Sequence, residues 1–406
     1  MSENIITGLD IGSGTIRIAV GQTGSEGELQ ILGIAETPSQ GVGKGMITDL
    51  EDTVSSISQA LDKIERLVGL SINHAYIGIS GTHIISQVAR GIVAVSRADG
   101  EIRKDDVVRV LEAAQSVATP PNYEILHIIP RSFTVDNQPN IKDPIGMTGV
   151  RIEVDAQIIL GLTSQIKNLR KCLYRAGITD DELVFVPLAS AEAVLTKRQK
   201  ELGVAVVDIG ETTTSLAVFE EGNLLLTKTL PIGSRYVTSD IAIGLRIPLD
   251  LAEKIKINYG SACSNLVNKH EMINLKDLSD KEEGVISRRE IAEIIEARCE
   301  EIYKMVNKEL ETIDRSGKLP AGVILTGGGA KLPGLVELAK KIFKLPASIG
   351  IPSNFNSQTD KIFDPSYSTV LGLVFWGKKM HILPKRSLLK LIKSDWLKKI
   401  FKNLLP

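Results

Sequence analysis

The chain has 406 residues, 43% of them hydrophobic and 24% charged, which is ordinary globular composition with room for two sizeable cores and excludes a disordered class. Three widely spaced cysteines, Cys172, Cys263 and Cys299, make neither a disulfide framework nor a zinc cluster, as expected of core residues in a reducing compartment. The net charge of −1 hides an asymmetry: residues 378–406 hold nine Lys or Arg against Asp395, leaving −9 on residues 1–377, so an acidic body argues against nucleic-acid binding while a basic end points to an anionic partner.

The first residues, Met1-Ser2-Glu3-Asn4, lack the basic and apolar regions of a secretory signal, and no run reaches eighteen apolar residues, so a cytoplasmic protein is expected. An apolar run from Ile5 to Leu9 then leads into Asp10-Ile11-Gly12-Ser13-Gly14-Thr15, with Ile18-Ala19-Val20 following. The same pattern returns after Val204 to Val207 as Asp208-Ile209-Gly210-Glu211-Thr212-Thr213, with Leu216-Ala217-Val218. Each copy reads as strand, tight turn, strand, with the polar residues at the hairpin tip. One copy alone is an ordinary hairpin with turn-favouring residues; two in register point to half-molecules clasping one phosphorylated ligand. Glycine lets the backbone approach such a ligand, and turn N–H groups with the hydroxyls of Ser13, Thr15, Thr212 and Thr213 make a cradle for phosphate oxygens. Asp10 and Asp208 are then expected to face each other across the phosphates and to hold a hydrated Mg2+, which needs only one or two protein carboxylates.

Between the repeats, the pattern predicts a helix from about Asp49 to Val68 and a strand from His74 to Ile79 ending at Ser80-Gly81-Thr82-His83. Residues 84–162 read as an inserted small α/β module: a strand at Gly91 to Val95, a helix from Lys104 to Val117 with Val107, Val108, Val110 and Leu111 inward, and strands near Ile125, Phe133 and Ile152. Helical periodicity resumes at Leu162 to Arg175, and Pro187 to Thr196 is a small-residue helix suited to close packing.

After the second repeat, Pro231-Ile232-Gly233-Ser234 turns into helices at Val237 to Gly244 and Pro248 to Tyr259, and a third spans about Arg288 to Ile313. Gly322 to Ala330 is a buried strand feeding the turn Gly327-Gly328-Gly329, where bare backbone admits a flat or phosphorylated ligand. A helix at Leu335 to Phe343 and a second small-residue helix at Ser368 to Trp376 follow. From Ser394 onward, helical spacing gathers Trp396, Leu397, Ile400, Phe401 and Leu404 on one arc, opposite Lys398, Lys399 and Lys402, the pattern of a helix lying in a membrane surface.

In order, the phosphate turn, small-residue helix, second phosphate turn, Glu253 and Lys256 on one helix, glycine turn and second small-residue helix resemble the signature of the actin, Hsp70 and sugar-kinase superfamily. Within it the chain is similar to the FtsA family of bacterial actins over nearly its whole length. The stretches that carry this are Gly41-Val42-Gly43-Lys44-Gly45, Tyr76 to His83, Ile141 to Arg151, and Thr238 to Leu245.

The resemblance implies an actin/Hsp70-like ATPase fold: two duplicated α/β domains flanking a nucleotide cleft, an inserted small α/β subdomain of the 1C type, and a C-terminal amphipathic helix. Subdomain 1A would comprise 1–83 with 163–190 and 363–380, 1C 84–162, 2A 191–228 with 305–362, 2B 229–304, and 381–406 the basic linker and membrane helix. It implies ATP and Mg2+ as cofactors, Glu253 and Lys256 on the ribose and adenine side, Gly327 to Gly329 as the adenosine motif, and Gly233 in the nucleotide set.

Implied partners are the FtsZ C-terminal tail through 2B, anionic membrane lipids, other copies of the chain, and further division proteins through 1C, at the division site on the cytoplasmic face of the membrane. Hydrolytic members of the superfamily often carry an acid before the proline of the first connecting helix. Here Val186 precedes Pro187, so slow hydrolysis is expected, with Glu192 and Glu211 as substitute candidates. A pilus-assembly type of actin-like adaptor, or a small-molecule kinase of the same fold, remains the alternative.

Overall fold

The computed structural model describes residues 5–24, 27–279, 282–353, 355–357 and 362–381. The expected C-terminal helix, with Trp396, Leu397, Lys398, Lys399, Ile400, Phe401, Lys402 and Leu404, lies outside the described residues.

Both repeats form the expected hairpins. Ile5–Ile11 pairs antiparallel with Thr15–Thr23, bringing Asp10 opposite Arg17 and Ile11 opposite Ile16. Val204–Ile209 pairs with Thr214–Glu220 in the matching register, Asp208 opposite Ser215. Each Asp-bearing strand then gains a parallel neighbour on its other side: His74–Ile79 places Gly78 beside Asp10, and Val323–Thr326 places Thr326 beside Asp208. The two carboxylates therefore sit at equivalent strand ends of two sheets.

The first sheet has six strands in the order Thr179–Phe185, His74–Ile79, Ile5–Ile11, Thr15–Thr23, Leu29–Pro38 and Asn356–Ser357. The second has five, Asn223–Leu230, Thr214–Glu220, Val204–Ile209, Val323–Thr326 and Ala347–Ile349. One core lies about the first sheet and the helices Leu50–Val68 and Thr163–Arg175. A second lies between the second sheet and the helices Ser234–Leu245, Leu249–Tyr259, Arg288–Thr312 and Leu335–Phe343.

Local sequence explains these helices. In Leu50–Val68, buried Ile57, Ala60, Leu61 and Ile64 recur on one face at helical spacing. Its start is fixed by Asp49, whose carboxylate accepts from the Asp52 N–H at 2.9 Å, and its end by Gly69 at φ 70°.

The segment between Ile84 and Leu162 forms its own antiparallel sheet, in the order Ile84–Ala94, Arg151–Leu162, Tyr123–Val135 and Gln138–Ile141, covered by the helix Lys104–Ala118. Alternate residues Ile152, Val154, Ala156, Ile158 and Leu160 face its core with Val107, Val110, Leu111 and Ala114 of the helix. Val108 is only partly buried, because the helical period turns it toward the rim.

Two small-residue helices, Val186–Val194 and Ser368–His381, pack across the centre of the molecule. The approach is so close that a Cβ added to Gly372 would stand 1.9 Å from the Ala189 carbonyl oxygen.

Candidate functional site

A cleft of about 720 Å3 opens between the two sheets, and the tips of both hairpins line it. Gly12, Ser13, Gly14 and Thr15 enter from the first turn, Gly210, Glu211 and Thr213 from the second. The tips touch directly: Thr212 Oγ1 donates to Ser13 Oγ at 2.7 Å. The second turn is braced from behind, since the N–H groups of Ser234 and Arg235 donate to the carbonyls of Gly210 and Glu211 at 2.9 and 2.8 Å. That is the use of Gly233, where a Cβ would meet both carbonyl oxygens at 2.6 Å. Gly233 thus shapes the turn, and Ser234 is the residue that reaches the wall of the cleft.

Asp10 and Asp208 lie in the floor. Asp208 is buried and accepts from Ser190 Oγ at 2.6 Å and Thr369 Oγ1 at 3.1 Å. Each donor comes from one of the two small-residue helices, whose close packing therefore places this carboxylate. Burial raises its pKa, against the pull of those hydroxyls and of Arg17. Asp10 is pushed up to about 7, chiefly by burial, with Arg17 opposing and the nearby Asp208 charge adding. Arg17 itself ion-pairs with Glu36 at 3.3 Å and lies over the Tyr367 ring.

Two carboxylates whose charged forms burial disfavours, beside phosphate-type turns, fit a hydrated divalent cation, which would restore the charged form of both. Among the described residues no group of three or more His, Cys, Asp or Glu stands ready to hold a metal, so any ion here keeps most of its waters.

The glycine turn closes one side. Gly327 sits at φ 85°, and a Cβ there would fall 2.3 Å from Asp208 Oδ1, while Gly329 packs on Ile209 and a Cβ on Gly328 would meet only Ser366 Cβ, at 4.0 Å. Thr326 Oγ1 donates to Ser368 Oγ at 2.6 Å, and the Gly327 N–H to the Pro365 carbonyl at 3.1 Å, tying the turn to the start of the last described helix.

Glu253 and Lys256 form the far wall, paired with each other at 2.7 Å and both bound to Thr238 Oγ1. Ile257, Ile302, Tyr303, Leu332, Pro333 and Leu335 complete that end as an apolar slot suited to a flat ring. These six residues, together with Lys331, Asp364 and Ser366 at the rim, are site residues that sequence reasoning missed.

The two substitute candidates for water activation separate. Glu211 lines the cleft, with its Oε1 3.5 Å from the Arg235 guanidinium and its Oε2 buried without a hydrogen-bond partner, 1.7 Å from where a Cβ on Gly14 would stand. Glu192 does not line it; it is held by Lys200 at 2.7 Å and by Lys379. Burial would raise the Glu192 pKa, but the two ammonium groups win and bring it down to about 2, which suits a structural ion pair. Val186 does reach the cleft, so an apolar side chain stands at that wall.

Residues 205–372 match the family model for cell division protein FtsA, and residues 81–160 match the model for the SHS2 domain inserted in FtsA. The chain is similar to the cell division protein FtsA of Pseudomonas aeruginosa, 40% identical over 376 residues, covering 93% of this chain and 90% of that protein. Among solved structures, the PilM-PilN type IV pilus biogenesis complex superposes with a TM-score of 0.66 at 17% identity, over 92% of this chain and 98% of that one. MreB 5 of Spiroplasma citri bound to AMPPNP gives a TM-score of 0.55 at 14% identity, over 94% and 98%. These likenesses establish the actin-like fold.

Proposed function

The chain belongs to the FtsA family of cell-division proteins, and from that membership we propose that it binds ATP with Mg2+ in the cleft, assembles with other copies of itself, and tethers FtsZ to the cytoplasmic face of the membrane through its basic C-terminal segment. One observation carries the nucleotide part: two equivalent hairpin tips meet over a buried Asp208 and a partly buried Asp10 inside one cleft.

In this reading the turn N–H groups and the hydroxyls of Ser13, Thr15 and Thr213 bind the phosphate oxygens, while Thr212, expected in the same set, does not line the cleft and instead braces Ser13. Asp10 and Asp208 hold the hydrated ion. Glu253 and Lys256 bind the ribose and adenine side, and Gly327 to Gly329 lie against the adenosine. Bound Mg2+ supplies positive charge that neutralises the phosphates. Glu211, which lines the cleft, orients water in this reading, and with Val186 also in the wall, slow hydrolysis is expected. The ligand touches both halves of the cleft, so it favours the closed molecule and biases self-association.

The adaptor part is supported by family membership and by the C-terminal pattern. The nine Lys or Arg of residues 378–406 attract an anionic surface, and each is worth about 1 kcal/mol near it. The FtsZ tail docks on residues 229–304, and other division proteins on residues 84–162.

Co-sedimentation of FtsZ with anionic vesicles carrying this protein and Mg-ATP tests it, comparing the full chain with one ending at Leu383. Recruitment that needs the tail is the expected result. Vesicle binding without recruitment leaves a membrane protein with another partner, and no vesicle binding overturns the tether.

A further inference from the structure

The loop between Gly41 and Thr48 holds none of the residues assigned to the nucleotide, yet its tip residue Gly45 lines the cleft beside the two phosphate turns. Its two short strands, Val42–Gly43 and Met46–Ile47, pair antiparallel around Lys44 and Gly45. Both tip residues are left-handed, at φ 52° and 74°. Successive turn residues of this kind present their N–H groups to one concave side, a ready seat for an anion.

Here those two donors reach the tips of both phosphate turns. The Lys44 N–H donates to Thr212 Oγ1 at 3.1 Å, and the Gly45 N–H to Ser13 Oγ at 3.4 Å. With the 2.7 Å bond from Thr212 to Ser13, the four groups form one chain that bridges the two halves of the molecule. The tip is held from below, since a Cβ on Gly45 would stand 2.7 Å from the Gly81 Cα. The Lys44 side chain is exposed, and among the described residues it has no ion-pair partner.

We propose that this loop is a strap that reads the terminal phosphoryl group of a nucleoside triphosphate, with the Lys44 ammonium supplying charge and the Lys44 and Gly45 N–H groups supplying hydrogen bonds. The inference rests on the nucleotide reading of the cleft. Neutral hydroxyls are weaker acceptors than phosphoryl oxygens, so a group entering between the turns takes over both donors. A diphosphate lacks that group and leaves the strap on Ser13 and Thr212. Lys44 is therefore a specificity residue for triphosphate over diphosphate.

The test is equilibrium binding of Mg-ATP and Mg-ADP to the full chain and to Lys44→Ala and Lys44→Arg. Lys44→Ala should weaken ATP roughly tenfold or more, the scale of a hydrogen bond to a charged group, and ADP by no more than about twofold. Lys44→Arg should keep most of the preference, because it keeps the charge. Equal weakening of both nucleotides, or no change in either, overturns the strap while leaving the cleft reading intact. Failure of the unaltered chain to bind either nucleotide overturns the cleft reading, and the strap falls with it.

Discussion

Asp10 titrates near 3.8 in an ordinary setting and at about 7 in the folded chain. Between those values the folded state holds a proton that the unfolded state has released. The contribution of Asp10 to stability is thus complete below about pH 4 and is lost as the pH rises through about 7. The loss is on the order of 4 kcal/mol, since the rise is about three tenfold changes in proton affinity, each worth about 1.4 kcal/mol. Asp10→Asn should therefore raise the melting temperature at pH 8 and leave it nearly unchanged at pH 4, measured without nucleotide or metal. An equal gap at both pH values would sink this account of Asp10. The same linkage makes Mg-ATP affinity rise from pH 6 to pH 8, because the ion needs the ionised carboxylate; a flat titration profile would count against Asp10 as a metal-side group. Asp10 and Asp208 were legible in the sequence because turn chemistry repeats in register. Ile302, Tyr303 and Leu335 were not, since an apolar residue in an amphipathic helix reads as core until the neighbouring elements show that it also faces a cleft.

At the scale of elements, the position of Asp208 depends on how closely two helices approach. Ser190 sits on Val186–Val194 and Thr369 on Ser368–His381, and Gly372 is what lets those helices meet. Gly372→Ala drives a methyl group into the Ala189 carbonyl, and backbone cannot swing aside as a side-chain end can. The expected cost is about 1–3 kcal/mol of stability, the usual range for overpacking, read by urea unfolding. Nucleotide affinity should fall in the same variant, because the Asp208 donors move apart. Normal affinity in a destabilised Gly372→Ala would show that the crossing supports the fold without placing the site.

Helices with caps and clean periodicity, such as Leu50–Val68 and Leu335–Phe343, could be read from sequence to within a residue or so. Strands were harder. Thr179–Phe185 opens with Thr-Asp-Asp-Glu, so its first half carries no apolar signal, and its place is set by parallel pairing with His74–Ile79. In Ile84–Ala94, Ser86, Gln87, Arg90 and Gly91 interrupt the alternation, and only the end of the strand was legible.

For the whole molecule, charge is divided between an acidic body and a basic C-terminal segment, and the two are expected to act separately. On the proposed reading the body would bind nucleotide between its halves, and the segment, whose helical spacing in the sequence sets Trp396 and Phe401 apart from Lys398, Lys399 and Lys402, would meet the lipid. A helix this short is marginal in water, so ordering it offsets much of the gain from insertion, and one copy binds weakly. An assembly that presented many copies in one plane would raise the effective concentration, so the proposed self-association and membrane attachment would reinforce one another. Trp396→Glu places a charge where the apolar face enters the lipid. It should abolish sedimentation with anionic vesicles, while Mg-ATP affinity stays within about twofold of the unaltered chain, since the substitution lies more than a dozen residues beyond the last residue lining the cleft, Thr369. Loss of both activities would mean that the segment docks on the body, and retention of vesicle binding would mean that the basic residues alone hold the membrane through charge. Added salt separates these cases further: binding by charge alone fades as screening shortens to a few ångströms, whereas a buried Trp396 face holds on.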